Sequence, residues 1–264
     1  MELRDDDLWV VTLPKAGTTW MQHIISSVME DPDGQNIKNA WKKWYFLEYE
    51  GLNKSKSDPN ENFDEYSRAP KSFTECKEGP SPRYIKSHLP LSMLPQDLLS
   101  KCKVIYVARN PQDFCVSYYY HNKGFGHYSG DFESHFDHFI NDHLLYSPFW
   151  EHVKEAWNLR NFPNFLLMFY EDMKSDLPKS IRKVSKFLGK SLSDEQISRL
   201  SDLLTIDNMK KVTNRKVMKD VILRKGIVGD WKNHFTNEMI VKMKEYNENG
   251  RNGSDIITPE SWEL

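Results

Sequence analysis

The chain is predicted to fold as an α/β domain, a parallel sheet flanked by helices on both faces. Three observations carry this. The runs 8–13, 103–108 and 164–169 are largely apolar instead of alternating, the pattern of strands buried on both faces. Each is followed within a few residues by apolar side chains at helical spacing, so strands and helices alternate and the strands pair in parallel. The length, 264 residues, fits one large α/β domain spanning 1–264.

The first junction is the densest in chemistry. Leu8-Trp9-Val10-Val11-Thr12-Leu13 reads as a buried strand, and Pro14 and Gly17 mark a tight turn after it. From 18 to 31, Trp20, Met21, Ile24, Ile25 and Val28 recur on one helical face. A helix N-terminus presents unpaired N–H groups and a partial positive charge, which suits a phosphate. Lys15 adds a full charge, and the Thr18 and Thr19 hydroxyls add donors. The stretch lacks the GxxxxGK[ST] spacing of a Walker A loop. Taken alone, it is also compatible with a corner whose Lys and Thr merely face water.

Residues 32–82 are polar. One or two helices are expected within 36–50, then a long surface loop to 82, of the kind that serves as a lid. Its aromatics, Trp41, Trp44, Tyr45, Phe46 and Tyr49, suit core packing or the lining of an apolar substrate. A short strand follows at 83–88, then a helix at 91–100, and the 103–108 strand delivers Arg109 at its end. Pro111 opens a helix over 112–122, with Phe114, Cys115, Tyr118 and Tyr119 inward. A Gly-rich loop at 124–130 precedes helices near 132–146 and 149–161. The 164–169 strand runs into Tyr170-Glu171-Asp172, and helices follow near 176–188 and 193–204. Ligands of parallel sheets sit at the carboxyl ends of the strands. Lys15, His88, Arg109 and Tyr170 all fall just past such ends, which makes them one candidate site.

Composition narrows the partners. A net charge of −2 offers no global field for nucleic acid or anionic lipid, so an anionic ligand must be held by local basic groups. Cys76, Cys102 and Cys115 are odd in number and form no CxxC pair, which argues against a disulfide framework or structural zinc and for a reducing, cytoplasmic compartment. No stretch approaches the ~20 apolar residues of a membrane helix, and the acidic start lacks signal-peptide features.

A second anion site takes shape away from Lys15. Ser117 lies about two helical turns past Arg109, so the two can clamp a phosphate together. The alternative is an ion pair between Arg109 and Asp113 at the helix start. Arg224-Lys225-Gly226 sits in a glycine-containing, non-helical stretch that suits a phosphate-wrapping loop, or else an exposed basic loop. Two anion sites are what a bisphosphorylated nucleotide needs. His135, Asp137, His138, Asp142 and His143 crowd one segment, but their spacing is not HExxH, and no metal site is assigned there.

Five segments, Thr12-Leu13-Pro14-Lys15-Ala16-Gly17-Thr18-Thr19-Trp20, Tyr84-Ile85-Lys86-Ser87-His88-Leu89-Pro90, Val107-Ala108-Arg109-Asn110-Pro111 with Ser117-Tyr118-Tyr119, Phe169-Tyr170-Glu171-Asp172-Met173 and Arg224-Lys225-Gly226-Ile227-Val228-Gly229-Asp230-Trp231-Lys232, resemble the cytosolic sulfotransferases in content, order and spacing. The resemblance covers about residues 7–236. It implies a fold related to the P-loop kinases and transfer of a sulfuryl group from 3′-phosphoadenosine 5′-phosphosulfate (PAPS, leaving the bisphosphate PAP) to a hydroxyl or amine of a small, partly apolar molecule. By the same resemblance Lys15, Ala16, Gly17, Thr18 and Thr19 hold the 5′-phosphosulfate. Trp20 stacks on the adenine, unless it is only a core aromatic, and Tyr170 contacts the adenine side. Arg109, Ser117, Arg224, Lys225 and Gly226 hold the 3′-phosphate. His88 is the general base, Lys86 touches the transferring group, and Lys15 stabilises the leaving phosphate, with no obligatory metal.

The chemistry agrees with these residue types. A phenol titrates near ~10 and a histidine near ~6.5, so a mostly neutral His88 can take the proton as the oxygen attacks. Lysines placed where negative charge grows act by electrostatics, as in phosphoryl transfer.

The sequence also departs from the family. Ala16 stands where Ser is usual, Leu13 where Tyr is usual, and Leu204-Thr205-Ile206-Asp207 where Thr-Ser-Phe is common, so no adenine contact is carried over there. Lys232 and Thr236 match the usual dimer motif, but Asn237 and Val241 replace its Val and Glu, which leaves dimerisation open. The chain begins almost at the first strand, so either it is truncated or its acceptor site is more open, while the tail after Asn249 matches nothing. The acceptor is expected to rest on the lid and on the 124–132 loop with Phe125 and Tyr128. Phenol, alcohol, steroid, retinoid and amine all remain open. A nucleotide kinase and a non-catalytic nucleotide-binding protein are the competing readings.

Overall fold

The computed structural model describes residues 1–37, 43–53, 73–213, 216 and 218–263. Five parallel strands, β1 (Leu8–Val11), β2 (Trp44–Phe46), β3 (Tyr84–Ser87), β4 (Lys103–Ala108) and β5 (Phe165–Phe169), form one sheet in the order β2-β3-β1-β4-β5. Side chains of successive strand residues alternate between two hydrophobic clusters. Trp9, Val11, Ile85, Val104 and Tyr106 belong to one; Leu8, Val10, Tyr84, Ile105 and Val107 belong to the other. That is why the runs read as continuously apolar. The first cluster takes in residues of the helices Pro111–Gly124, Phe132–Ile140, Phe149–Asn158 and Asn237–Arg251. Thr18–Glu30, Leu177–Phe187 and Asp194–Leu203 contribute to the second. The predicted parallel sheet with helices on both faces is the observed one.

Several elements differ from expectation. The helix expected within 36–50 is, in its described part, strand β2 followed by a short helix, Tyr49–Asn53. Three consecutive aromatics favour extended backbone: Trp44 packs into one cluster and Tyr45 into the other, a split only a strand allows. The remainder of the expected lid, 38–42 with Trp41 and 54–72, lies outside the described residues. The loop expected up to 82 contains a helix, Phe73–Glu78. The helix expected at 91–100 is a 3₁₀ turn, Leu91–Met93, and one helical turn, Leu98–Lys101, because Pro95 cannot continue a helix through its own position. The helix expected to 146 stops at Ile140, and Asp142 and Tyr146 take left-handed backbone in the turn that follows. Tyr170 lies just past the end of β5, as expected, and there opens a short helix, Tyr170–Ser175, that the sequence reading did not include.

Two polar anchors fix the sheet. Arg83 grips the Asp7 carboxylate with two hydrogen bonds, 2.7 and 2.5 Å, both side chains fully buried, so the starts of β1 and β3 are tied together. The tail that matched nothing packs back onto the sheet. Trp262 is buried against Trp150 and Phe169, its indole N–H donates to Glu171 at 2.9 Å, and the carbonyls of Ser261 and Trp262 accept from Asn110 and Gln112.

Candidate functional site

The carboxyl ends of β1, β3, β4 and β5 open onto one cavity of about 900 Å³. At β1, Lys15 sits in left-handed backbone (φ 65°) and Gly17 at φ 115°, so the chain reverses into the Thr18–Glu30 helix within a few residues. A Cβ on Gly17 would meet the Tyr170 ring at 3.0 Å, so both strain and space require glycine there. Gly17 is also the helix N-cap and has no side chain with which to cover the first N–H groups. Thr18 and Thr19 line the cavity, and the Thr18 hydroxyl meets that of Thr12 at 2.5 Å. Ala16 does not line it, since its methyl is buried in the core.

The Lys15 ammonium donates to the carbonyls of Val221 and Ile222, both at 2.8 Å, at the end of a π-helical turn, Met218–Ile222. Burial, and then the nearby Arg109 and Arg224 charges, pull its pKa down to about 7. Arg109 lies face-on over the Tyr170 ring at 4.5 Å and donates to the Lys15 carbonyl at 3.0 Å and the Ile227 carbonyl at 3.5 Å. The Arg109–Asp113 pair is not formed. Asp113 instead accepts the backbone N–H groups of Gly229 at 2.7 Å and Trp231 at 3.0 Å, anchoring the basic loop to the helix that carries Ser117.

In that loop, Arg224 and Lys225 both bond Asp230, at 2.9 and 2.8 Å, and Arg224 stacks 4.3 Å over Tyr120. Burial alone would raise the Asp230 pKa, but hydrogen bonds from Lys225, Arg224 and Asn233 hold it down at about 2. Gly226 is left-handed at φ 66°, and a Cβ there would meet Ile206 at 2.8 Å. Trp20 is buried, donates its indole N–H to the Leu204 carbonyl at 2.8 Å and meets Tyr170 edge-on at 5.5 Å; it nevertheless lines the cavity, as do Tyr170 and Ser117.

Lys86 and His88 line the same cavity, both packed against the Phe46 ring. The imidazole Nδ1 of His88 lies 2.8 Å from the Thr12 carbonyl. A carbonyl only accepts, so Nδ1 carries the proton and Nε2 keeps the lone pair. Burial, followed by the Lys86 charge, lowers the His88 pKa to about 3, so the ring is neutral at neutral pH. The Lys86 ammonium lies 4.0 Å above the Phe46 ring, and burial lowers its pKa to about 8 against the opposing pull of Glu48. Phe46, Tyr49, Phe125, Tyr128, Leu145 and Tyr146 line the same cavity, which places Phe125 and Tyr128 of the 124–132 loop on its wall.

All the site residues read from the sequence except Ala16 therefore line one cavity. Sequence reasoning missed Asp230 and Asp113, which hold the basic loop, and His152, Tyr106 and Glu48 around His88. Asp230 stood inside a quoted motif and was legible as a counter-charge; the others have no local signal. His135 packs against the rings of Tyr118, Tyr119 and Tyr128. Among the described residues no three His, Cys, Asp or Glu side chains group as a metal site, and no helix is long and apolar enough to cross a membrane.

Comparison with known proteins agrees with this geometry. The sulfotransferase domain model matches residues 5–255. Sulfotransferase 1C2 of Homo sapiens is 35% identical over 251 residues, covering 89% of this chain and 79% of the relative. Luciferin sulfotransferase of Photinus pyralis is 31% identical over 278 residues, 97% of this chain and 75% of the relative. Among solved structures, retinol dehydratase in complex with androsterone and inactive cofactor PAP superposes with a TM-score of 0.85 at 30% identity, covering 98% of this chain and 84% of that one. Mouse sulfotransferase SULT7A1 complexed with PAP gives 0.74 at 25% identity, over 97% and 88%. A family model matched across nearly the whole chain, and a superposition on sulfotransferase structures of nearly the same extent, lead to one conclusion: this protein belongs to the sulfotransferase family and is an enzyme of sulfuryl transfer to small acceptors.

Proposed function

We propose that this enzyme uses PAPS as sulfuryl donor and acts on a hydroxyl of a small, partly apolar molecule, with His88 as general base. The observation that carries the reading is a single cavity lined at once by the cations Lys15, Arg109, Arg224 and Lys225, by the rings of Phe46, Tyr49, Phe125, Tyr128 and Tyr146, and by Lys86 and His88, which pack against Phe46. PAPS supplies an activated sulfuryl group on a phosphate leaving group. The backbone at 17–19, with the Thr18 and Thr19 hydroxyls, binds the 5′ end at the helix N-terminus. Arg109, Ser117, Arg224, Lys225 and the Gly226 backbone bind the 3′-phosphate, while Trp20 and Tyr170 flank the adenine. Lys15 stabilises charge growing on the leaving oxygen, and Lys86 stabilises it on the sulfuryl oxygens. The neutral His88 accepts the acceptor's proton at Nε2.

For the acceptor, relatives supply the chemistry: the retinol dehydratase structures hold androsterone in one case and retinol in another, each with PAP. We infer an alcohol or phenol of comparable apolar character; an amine is the alternative. The three cysteines are all free and buried, in keeping with a reducing cytoplasmic setting.

The reading is tested by thermal unfolding with PAP, ATP or 5′-AMP. At ~100 times its dissociation constant a native-state ligand adds ~2.7 kcal/mol, so PAP is expected to give a clear upward shift and the other two little. Equal shifts would remove the 3′-phosphate assignments and reopen the kinase reading. His88→Ala is expected to abolish turnover with PAP binding intact.

A further inference from the structure

β3 ends at Ser87, so the peptide groups of His88 lie where ladder partners run out. Side chains take their place. The His88 N–H donates to Glu48 Oε1 at 2.5 Å, and the His88 carbonyl accepts from His152 Nε2–H at 3.1 Å. With its Nε2 proton committed to that carbonyl, His152 offers Nδ1 as an acceptor, and the Tyr106 hydroxyl donates to it at 2.8 Å. Tyr106 and His152 are both buried, on β4 and on the Phe149–Asn158 helix respectively. Neither ring lines the cavity. The two side chains thus form a strut from the centre of the sheet to the backbone of residue 88.

We propose that His152, held in one tautomer by Tyr106, is a positioning residue for His88: it fixes the base's peptide so that Nδ1 stays on the Thr12 carbonyl and Nε2 stays aimed for proton transfer. The proposal rests on His88 being the base. Its physical warrant is geometric. A base released by a fraction of an ångström loses the aligned approach on which most of its rate advantage depends. Glu48 secures the preceding peptide group, Ser87–His88, while His152 holds the following one, His88–Leu89, so loss of His152 frees one side of the residue only and touches none of the proposed nucleotide-binding side chains.

The test uses the full chain as wild type, His152→Phe, His152→Gln, Tyr106→Phe and His88→Ala. Turnover is measured with PAPS and 2-naphthol, PAP affinity by titration, and His88 by its ¹⁵N imidazole signals. His152→Phe keeps ring volume but removes the donor, and is expected to lower kcat about 10- to 100-fold. KM and the PAP dissociation constant should stay within about twofold. His152→Gln, which keeps an N–H donor, should recover most of the loss, and Tyr106→Phe should fall between. In the wild type the ¹⁵N signals should show a protonated Nδ1 and a bare Nε2; in His152→Phe they should show mixed tautomers. Wild-type kcat with unchanged His88 signals in His152→Phe would overturn the proposal. So would equal losses in the Phe and Gln variants accompanied by lowered thermal stability, which mark a packing role. If 2-naphthol is not turned over, the ¹⁵N signals decide alone. Turnover surviving in His88→Ala would instead bring down the base assignment itself.

Discussion

Asp113 accepts the backbone N–H of Gly229 at 2.7 Å, across 116 residues of chain. With its second bond to Trp231 at 3.0 Å, this one carboxylate holds the Arg224–Lys225 loop against the helix bearing Ser117. Both are parts of the proposed 3′-phosphate site. Asp113→Ala leaves two backbone donors unpaired, a cost of about 1–3 kcal/mol for each buried one. PAP affinity is expected to fall more than about tenfold, the equivalent of 1.4 kcal/mol. Titration calorimetry of the variant checks this, and unchanged affinity with lowered stability would confine Asp113 to the fold.

Lys15 titrates at about 7 because it is buried beside Arg109 and Arg224. An anion placed between these cations favours the protonated form, so its pKa should rise in the complex. PAP affinity should therefore fall as pH rises above 7, and binding at pH 8 should take up a proton. Calorimetry in buffers of differing ionisation enthalpy measures the proton directly. Lys15→Met should abolish the uptake.

Trp262 is buried and its indole pairs with Glu171, whose own pKa is raised by burial and held partly in check by hydrogen bonds from Asn110 and Trp262. Trp262→Ala opens a cavity and leaves that carboxylate short of a donor. A loss of about 3–5 kcal/mol is expected in denaturant unfolding. Trp262→Phe, which keeps the packing but not the N–H, should lose markedly less.

Buried histidines set an acid limit on stability. Burial lowers His23 and His135 to about 4, His88 to about 3 and His121 to about 2. In the unfolded chain each titrates near ~6.5. The native state therefore binds fewer protons below that pH, so their contribution is complete above about 6.5 and is lost progressively as pH falls towards the folded values. Urea unfolding at pH 7.5, 6.0 and 5.0 should show declining stability, by up to about 1.4 kcal/mol per pH unit for each histidine. A flat profile would mean these rings are hydrated in the native state.

Much of this was legible in the residues. Apolar runs at 8–13 and 103–108 gave strands because both faces of a parallel sheet are buried, and periodicity records burial. Lys15, Gly17, Arg109 and Gly226 could be read because the proposed phosphate site makes local demands: glycine where φ is positive, a cation at a strand end, a helix start. Strand β2 was misread because a short edge strand of aromatics carries no period of its own; its pairing with β3 decides it.

What the sequence determined by itself is the alternation of elements, the charged and glycine residues that line the cavity, and the family. Which partners those groups meet was decided by the tertiary structure alone. Asp113 could have paired with Arg109 four residues earlier, yet it reaches Gly229 and Trp231. Trp262 could have been a frayed tail, yet it caps Glu171. His152 and His88 lie 64 residues apart and share one hydrogen bond. Local preference is set by neighbours in the chain, whereas a hydrogen bond between distant residues exists only once the packed sheet has brought donor and acceptor within 3 Å or so of each other.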